Sequence, residues 1–313
     1  MKISSKHLVL FLLVVLSLTL IGCGGGVPQK DYDNLKAQLD QAQKDKATAQ
    51  SQLSTVQKDY DATKAQLSTA QQDYNTTKSQ LDAAQSKIKE LQGTGTSQSD
   101  TLKKAQEEIS QLENHLDAIL DTSLTQYYRV TYAPYRYAWD LPVTLREYFS
   151  YKEKQRASGI GAMVTVGDAT VRTLTNMINT SSLSDNLKQS DVINLIAKFT
   201  QTLPHTNQDV RTFNDTYPRY PLETLVDQGG DSEDTSILAA NLLSMLGFEV
   251  VLISFESQKH VGIGIYMPGT AGYSFEYLGK RFHYLETTGQ NWRLGEMPAQ
   301  YLGLTPAVYP IGG

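Results

Sequence analysis

Lys30 to Gln85 repeats a 14-residue unit four times, as KDYDNLKAQLDQAQ, KDKATAQSQLSTVQ, KDYDATKAQLSTAQ and QDYNTTKSQLDAAQ. Each unit is two heptads. One seam position runs through Tyr32, Leu39, Lys46, Leu53, Tyr60, Leu67, Tyr74, Leu81 and Ile88. The other, three residues on, runs through Leu35, Ala42, Ala49, Val56, Thr63, Ala70, Thr77, Ala84 and Leu91. A 3–4 spacing that never slips allows one regular structure, a long helix with a covered stripe, and so predicts a coiled coil over 30–92. Sixty such residues would reach roughly 90 Å. The seam is thin, because Ala, Thr and Val fill much of it and Lys46 interrupts it. The stretch is therefore expected to be a spacer that also supports a homo-oligomer. GTGTSQSD over 93–100 breaks the pattern as a hinge. Leu102, Ala105, Ile109, Leu112, Leu116 and Ile119 then restore it in a second helix over 101–121.

Ahead of the repeat stands a short basic segment with Lys2 and Lys6, then an apolar run from Leu8 to Ile21. That run is too short for a comfortable membrane span and reads as a signal peptide over 1–22. It ends Leu20-Ile21-Gly22-Cys23, which resembles the lipobox of prokaryotic lipoproteins, and Cys23 is the only cysteine in the chain. The resemblance implies lipidation of Cys23 and a tethered segment over 23–29, with Gly24, Gly25 and Gly26 as its flexible part. The expected location is the cell envelope, lipid-anchored on the extracytoplasmic side of a prokaryotic membrane. With one cysteine, no intrachain disulfide can form.

Composition changes near Leu120, where Gln, Ala, Lys, Ser and Thr give way to Tyr, Trp and Pro. The residues from 122 to 313 are enough to bury a real core. A formal net charge of −5 offers no basic surplus for nucleic acid. QYYRVTYAPYRYAWDLPVTLREYFSY reads as strands and then a helix from about Leu145. Ala169 to Ile178 and Ser190 to Leu203 read as helices, the second with one broad apolar face.

Asp227 to Gly247, DQGGDSEDTSILAANLLSMLG, organises what remains. A glycine turn leads into an acidic helix start, then into residues apolar nearly all round, the pattern of a buried helix. Phe248 to Phe255 and His260 to Met267 read as strands. Alternation places His260, Gly262, Gly264 and Tyr266 on one face and Val261, Ile263 and Ile265 on the other. The two glycines leave room for a close neighbour, such as a helix N-terminus. After a hairpin through 268–272, Phe282 to Thr287 is a further strand, with Phe282, Tyr284 and Glu286 sharing a face. A helix followed by antiparallel strands is an α+β arrangement.

Three side chains then stand in the order nucleophile, base and orienter: Ser232 at a helix start, His260 at a strand start, Glu286 near a strand end. A helix N-terminus offers N–H groups to an oxyanion, histidine is the usual base, and a carboxylate fixes its tautomer. This order on these elements resembles the transglutaminase-like superfamily, which includes papain-like bacterial and archaeal cysteine peptidases. The segments carrying it are YPLETLVDQGGDSEDTSIL, the His260 strand, and YLETTG at Tyr284 to Gly289. The family form is GGDCED, so Ser232 takes the place of its cysteine. His260 matches the histidine, and Glu286 stands where most members have aspartate. In the calcium-dependent relatives acids flanking the nucleophile bind calcium, and the matching positions here are Asp231, Glu233 and Asp234.

The missing thiol sets the expected function. Thiols ionise near pH 8.5, and a helix N-terminus with His⁺ lowers that further. A serine hydroxyl is far too weak an acid to form the same ion pair. Ser232 then has two readings, a helix-capping hydroxyl in a pseudoenzyme or the nucleophile of an acyl hydrolase. Asp231, Glu233 and Asp234 likewise read as caps or as calcium ligands. The expected protein is a membrane-anchored surface lipoprotein with a catalytically inactive transglutaminase-like domain over 122–313. Its former cleft would bind a peptide, protein or cell-wall ligand. The alternative is an active serine hydrolase or peptidase using Ser232, His260 and Glu286.

Overall fold

The computed structural model describes residues 29–93, 99–157, 159–205 and 218–311. Signal peptide, Cys23, the tether up to residue 28 and most of the hinge lie outside the described residues. No helix among those described is long and apolar enough to cross a membrane.

Helix α1 spans Gln29–Gly93, and α2 spans Ser99–Leu120. The chain divides into two compact units, 1–57 and 58–313. In the first, the described side chains are exposed apart from half-buried Val56, and the seam residues Leu39 and Leu53 are 58% and 68% accessible. In the second, the same seam is covered: Thr63, Leu67, Tyr74 and Thr77 are buried. The Tyr74 ring stacks on Phe149 at 4.1 Å between centroids, and Gln71 donates to the Tyr148 hydroxyl at 2.9 Å. The cover for this half of the heptad stripe comes from the chain's own globular part. Heptad spacing requires a covered stripe and is silent on what covers it.

Strands β1 (Ser123–Tyr132) and β2 (Tyr135–Thr144) form an antiparallel hairpin. Alternate residues, among them Tyr128, Val130, Trp139 and Leu141, turn into the core. Thr144 caps α3 (Leu145–Glu153) by accepting the Glu147 N–H. Helices α4 (Ala169–Ser184), α5 (Gln189–Thr200) and α6 (Pro221–Asp227) follow and pack against α7 (Ser232–Met245), while the hairpin packs on α3, α4 and α5. Leu238, Ala239, Ala240, Leu242 and Leu243 of α7 have no accessible surface. Helices and a sheet packed against α7 explain why it is apolar nearly all round.

The sheet is antiparallel, in the order β5–β6–β4–β3–β7. Its strands are β3 (Val250–Phe255), β4 (His260–Tyr266), β5 (Ser274–Tyr277), β6 (Lys280–Leu285) and β7 (Ala307–Pro310). Val261, Ile263 and Ile265 face the core that contains α7. Phe255, Phe282, Tyr284, Met297 and Tyr301 build a second, smaller core. The domain is α+β, as the pattern of elements implies.

Candidate functional site

Asp231, not Ser232, caps α7. Its carboxylate accepts the N–H groups of Glu233 at 2.8 Å and Asp234 at 3.1 Å. Asp234 closes the capping box by accepting the Asp231 N–H at 3.3 Å. Gly230 makes the turn possible, since a Cβ there would lie 2.5 Å from that of Asp234. Ser232 is the first helical residue and is 6% accessible.

The Ser232 hydroxyl accepts the backbone N–H of Val261 at 3.2 Å. Ser236, one turn along α7, donates to the Val261 carbonyl at 2.9 Å. The reason lies in the register: the β4–β6 ladder begins at Ile263, so Val261 has no strand partner on that side. Two α7 hydroxyls supply what the ladder does not, as buried backbone groups require. Behind them, Thr287 reaches Ser236 at 2.8 Å and Thr235 at 3.1 Å, which fastens the chain after β6 to the helix.

His260 and Glu286 are joined. His260 Nε2 lies 2.9 Å from Glu286 Oε2, and both side chains are buried. The Tyr284 hydroxyl donates to the same oxygen at 2.9 Å. Thr288 fills the other oxygen with its N–H at 2.9 Å and its hydroxyl at 2.7 Å. Gln201, at the end of α5, holds the Glu286 carbonyl at 2.9 Å. The Tyr301 ring stacks on the imidazole at 4.5 Å and 11°. Burial works against the Glu286 charge, but the His260 hydrogen bond and charge, with the Thr288 donors, hold its carboxyl below the usual range. A carboxylate that accepts from Nε2–H fixes the tautomer, so the Nδ1 lone pair is the basic site. Among the described residues Nδ1 has no partner, and neither has the Ser232 backbone N–H.

Ser232 therefore reaches the backbone beside His260, with no hydrogen bond between its hydroxyl and the imidazole. The close neighbour of the strand glycines is also not a helix N-terminus. A Cβ on Gly262 would lie 2.6 Å from the Tyr284 ring and hydroxyl, and one on Gly264 would meet Ile253, Val251 and Phe282. Gly262 was the signal in the sequence for Tyr284. Tyr301, Thr288 and Gln201 come from a single 3-10 turn, a loop and a helix end, where periodicity carries no information. His283 is buried with Nδ1 unpartnered, and its pKa is lowered by burial and then by Arg281.

The acids beside Ser232 do not form a cation cage. Among the described residues no group of three or more His, Cys, Asp or Glu converges to hold a metal ion. Asp234 Oδ1 accepts the Arg219 N–H at 2.7 Å, and Oδ2 takes the guanidinium at 2.5 Å. One Asp231 oxygen is spent on the cap. Among the described residues this donor set does not fit calcium. Glu233 is different: burial, then the charges of Asp231 and Asp234, push its carboxyl up to about 7.

No family model matches the sequence, and no curated protein matches it. Among solved structures, calcium-bound LapG of Legionella pneumophila is distantly similar, with 16% identity and a TM-score of 0.29 over 45% of this chain and 85% of LapG. A second Legionella pneumophila LapG structure gives 16% identity and a TM-score of 0.30 over 46% and 88%.

Proposed function

We propose that this chain is a lipid-anchored envelope protein whose domain is a catalytically silent transglutaminase-like scaffold, used to bind a peptide, protein or cell-wall strand. The observation that carries the silent reading is the Ser232 hydroxyl. It serves as acceptor for the buried Val261 N–H, and no bond joins it to His260. Oxygen is a much better acceptor than sulfur, so a structural bond at this point favours serine over cysteine. Removing it would leave a buried donor unsatisfied. The base and its orienter persist because the His260–Glu286 pair also closes the second core, between Tyr284 and Tyr301.

One observation favours the catalytic alternative. His260 Nδ1 and the Ser232 N–H, the base and oxyanion donor of an acyl transfer, are both unengaged. Labelling with a serine-reactive fluorophosphonate decides between the two. The silent scaffold gives the same label on the parent and on Ser232→Ala. Label lost in Ser232→Ala establishes the hydrolase.

A further inference from the structure

Two carboxylates, Asp234 and Asp227, flank one buried guanidinium beside the start of α7. Arg219 is 5% accessible. Its Nη1 lies 2.5 Å from Asp234 Oδ2 and its Nε 3.4 Å from Asp227 Oδ2. Asp234 in turn holds the Asp231 N–H, and Asp231 caps the helix that carries Ser232. Asp227 continues outward: it pairs with Lys152 at 2.9 Å and accepts the Tyr148 hydroxyl at 2.6 Å, and Tyr148 meets Gln71 of α1.

A buried carboxylate such as Asp234 needs a counter-charge, and a buried ion pair holds only if its geometry is good and its remaining polar atoms are bonded. Asp234 meets that condition with both oxygens on Arg219, through side chain and backbone. We propose that Arg219 is the resident cation of this turn, a guanidinium standing where the family resemblance assigns calcium. It positions the start of α7 and makes the domain independent of divalent metal. Arg219 is a positioning residue, since it acts on Ser232 through Asp234 and Asp231.

Without the guanidinium Asp234 loses its counter-charge beside Asp227 and Asp231, and carboxylate oxygens so placed are the ligand chemistry of a hard divalent cation. The test is thermal unfolding of the full chain in detergent, with EDTA and then with calcium chloride up to several millimolar. The parent is expected to melt at one temperature throughout. Arg219→Ala is expected to melt lower in EDTA by roughly 6–20 °C, the range for breaking a buried pair in a domain of this size. Calcium should then raise that melting point in a saturable way by binding the folded state, and Arg219→Ala with Asp234→Asn should lose the response. Arg219→Lys keeps the charge and should stay insensitive to calcium.

A calcium-dependent rise in the parent would overturn the proposal, because the turn would then hold metal alongside Arg219. So would an Arg219→Ala variant that melts like the parent. A variant that is destabilised but indifferent to calcium would also overturn it, by reducing Arg219 to an ordinary structural ion pair. If Arg219→Ala does not fold in EDTA, its recovery in calcium is the deciding measurement, and failure to recover counts against the proposal.

Discussion

Ser232→Cys asks whether the serine alone silences the site. His260 keeps a proton on Nε2 through Glu286, so a second proton on Nδ1 would make an imidazolium beside the new thiol. An ordinary thiol of pKa about 8.5 is roughly 0.3% thiolate at pH 6. If the imidazolium and the α7 N-terminus draw it to about 5.5, about three-quarters is thiolate, a gain of roughly 240-fold. Intrinsic nucleophilicity falls with pKa at a Brønsted slope of about 0.45, which over that drop removes roughly 20-fold. The net expectation is a reaction about tenfold faster than for the same thiol without its imidazole. The assay is the rate with a pyridyl disulfide at pH 6, on a chain carrying Cys23→Ser, for Ser232→Cys with and without His260→Ala. The two proteins share the burial of position 232, so their ratio isolates the pairing from access. Equal rates would mean that residue 232 and His260 do not converge. The pseudo-triad and the catalytic alternative would then fall together.

Ser232→Ala leaves the Val261 N–H without its acceptor and should lower stability by about 1–3 kcal/mol in urea unfolding. Gly262→Ala drives a Cβ into Tyr284 and should cost about 1–3 kcal/mol, and should also abolish the His260-dependent thiol reactivity. Glu233 has a folded pKa raised to about 7, so the native state binds its proton more tightly and stability falls as pH rises from the ordinary carboxyl value through 7. Glu233→Gln should therefore raise the melting temperature at pH 8 and leave it unchanged near pH 4. Glu286 is depressed, so its contribution is present above the ordinary carboxyl pKa and is lost as pH falls through the folded value. Glu286→Gln should flatten that acid limb of a melting-temperature profile.

Much of the site could be read wherever side-chain periodicity reports on burial. The alternation of β4 and β6 placed His260, Tyr284 and Glu286 on the face where the structure has them, and the all-round apolar character of α7 matched its burial between helices and sheet. What periodicity missed was local or distant chemistry. Asp231 took the cap because a carboxylate one residue earlier can reach two N–H groups, a choice that Asp231, Ser232 and Asp234 in close succession leave open. The edge strands β5 and β7 are four residues each, too short for a pattern to stand out. Arg219 lies 15 positions from the carboxylate it serves, and nothing in its neighbours points to Asp234. The heptads gave α1 and left its partner undetermined, since Tyr74 packs on Phe149 and Leu53 is exposed on the same stripe.

The Gly262–Tyr284 contact makes two positions on neighbouring strands a single heritable character. A Cβ at 262 is compatible with the sheet only if 284 shrinks or turns, and a smaller residue at 284 withdraws the hydroxyl that Glu286 uses. Each change alone is harmful, whereas the pair, made together, exchanges one packing for another. Chains descended from a common ancestor should therefore show glycine at the first position wherever they show tyrosine at the second. A lineage that has lost one should have lost the other.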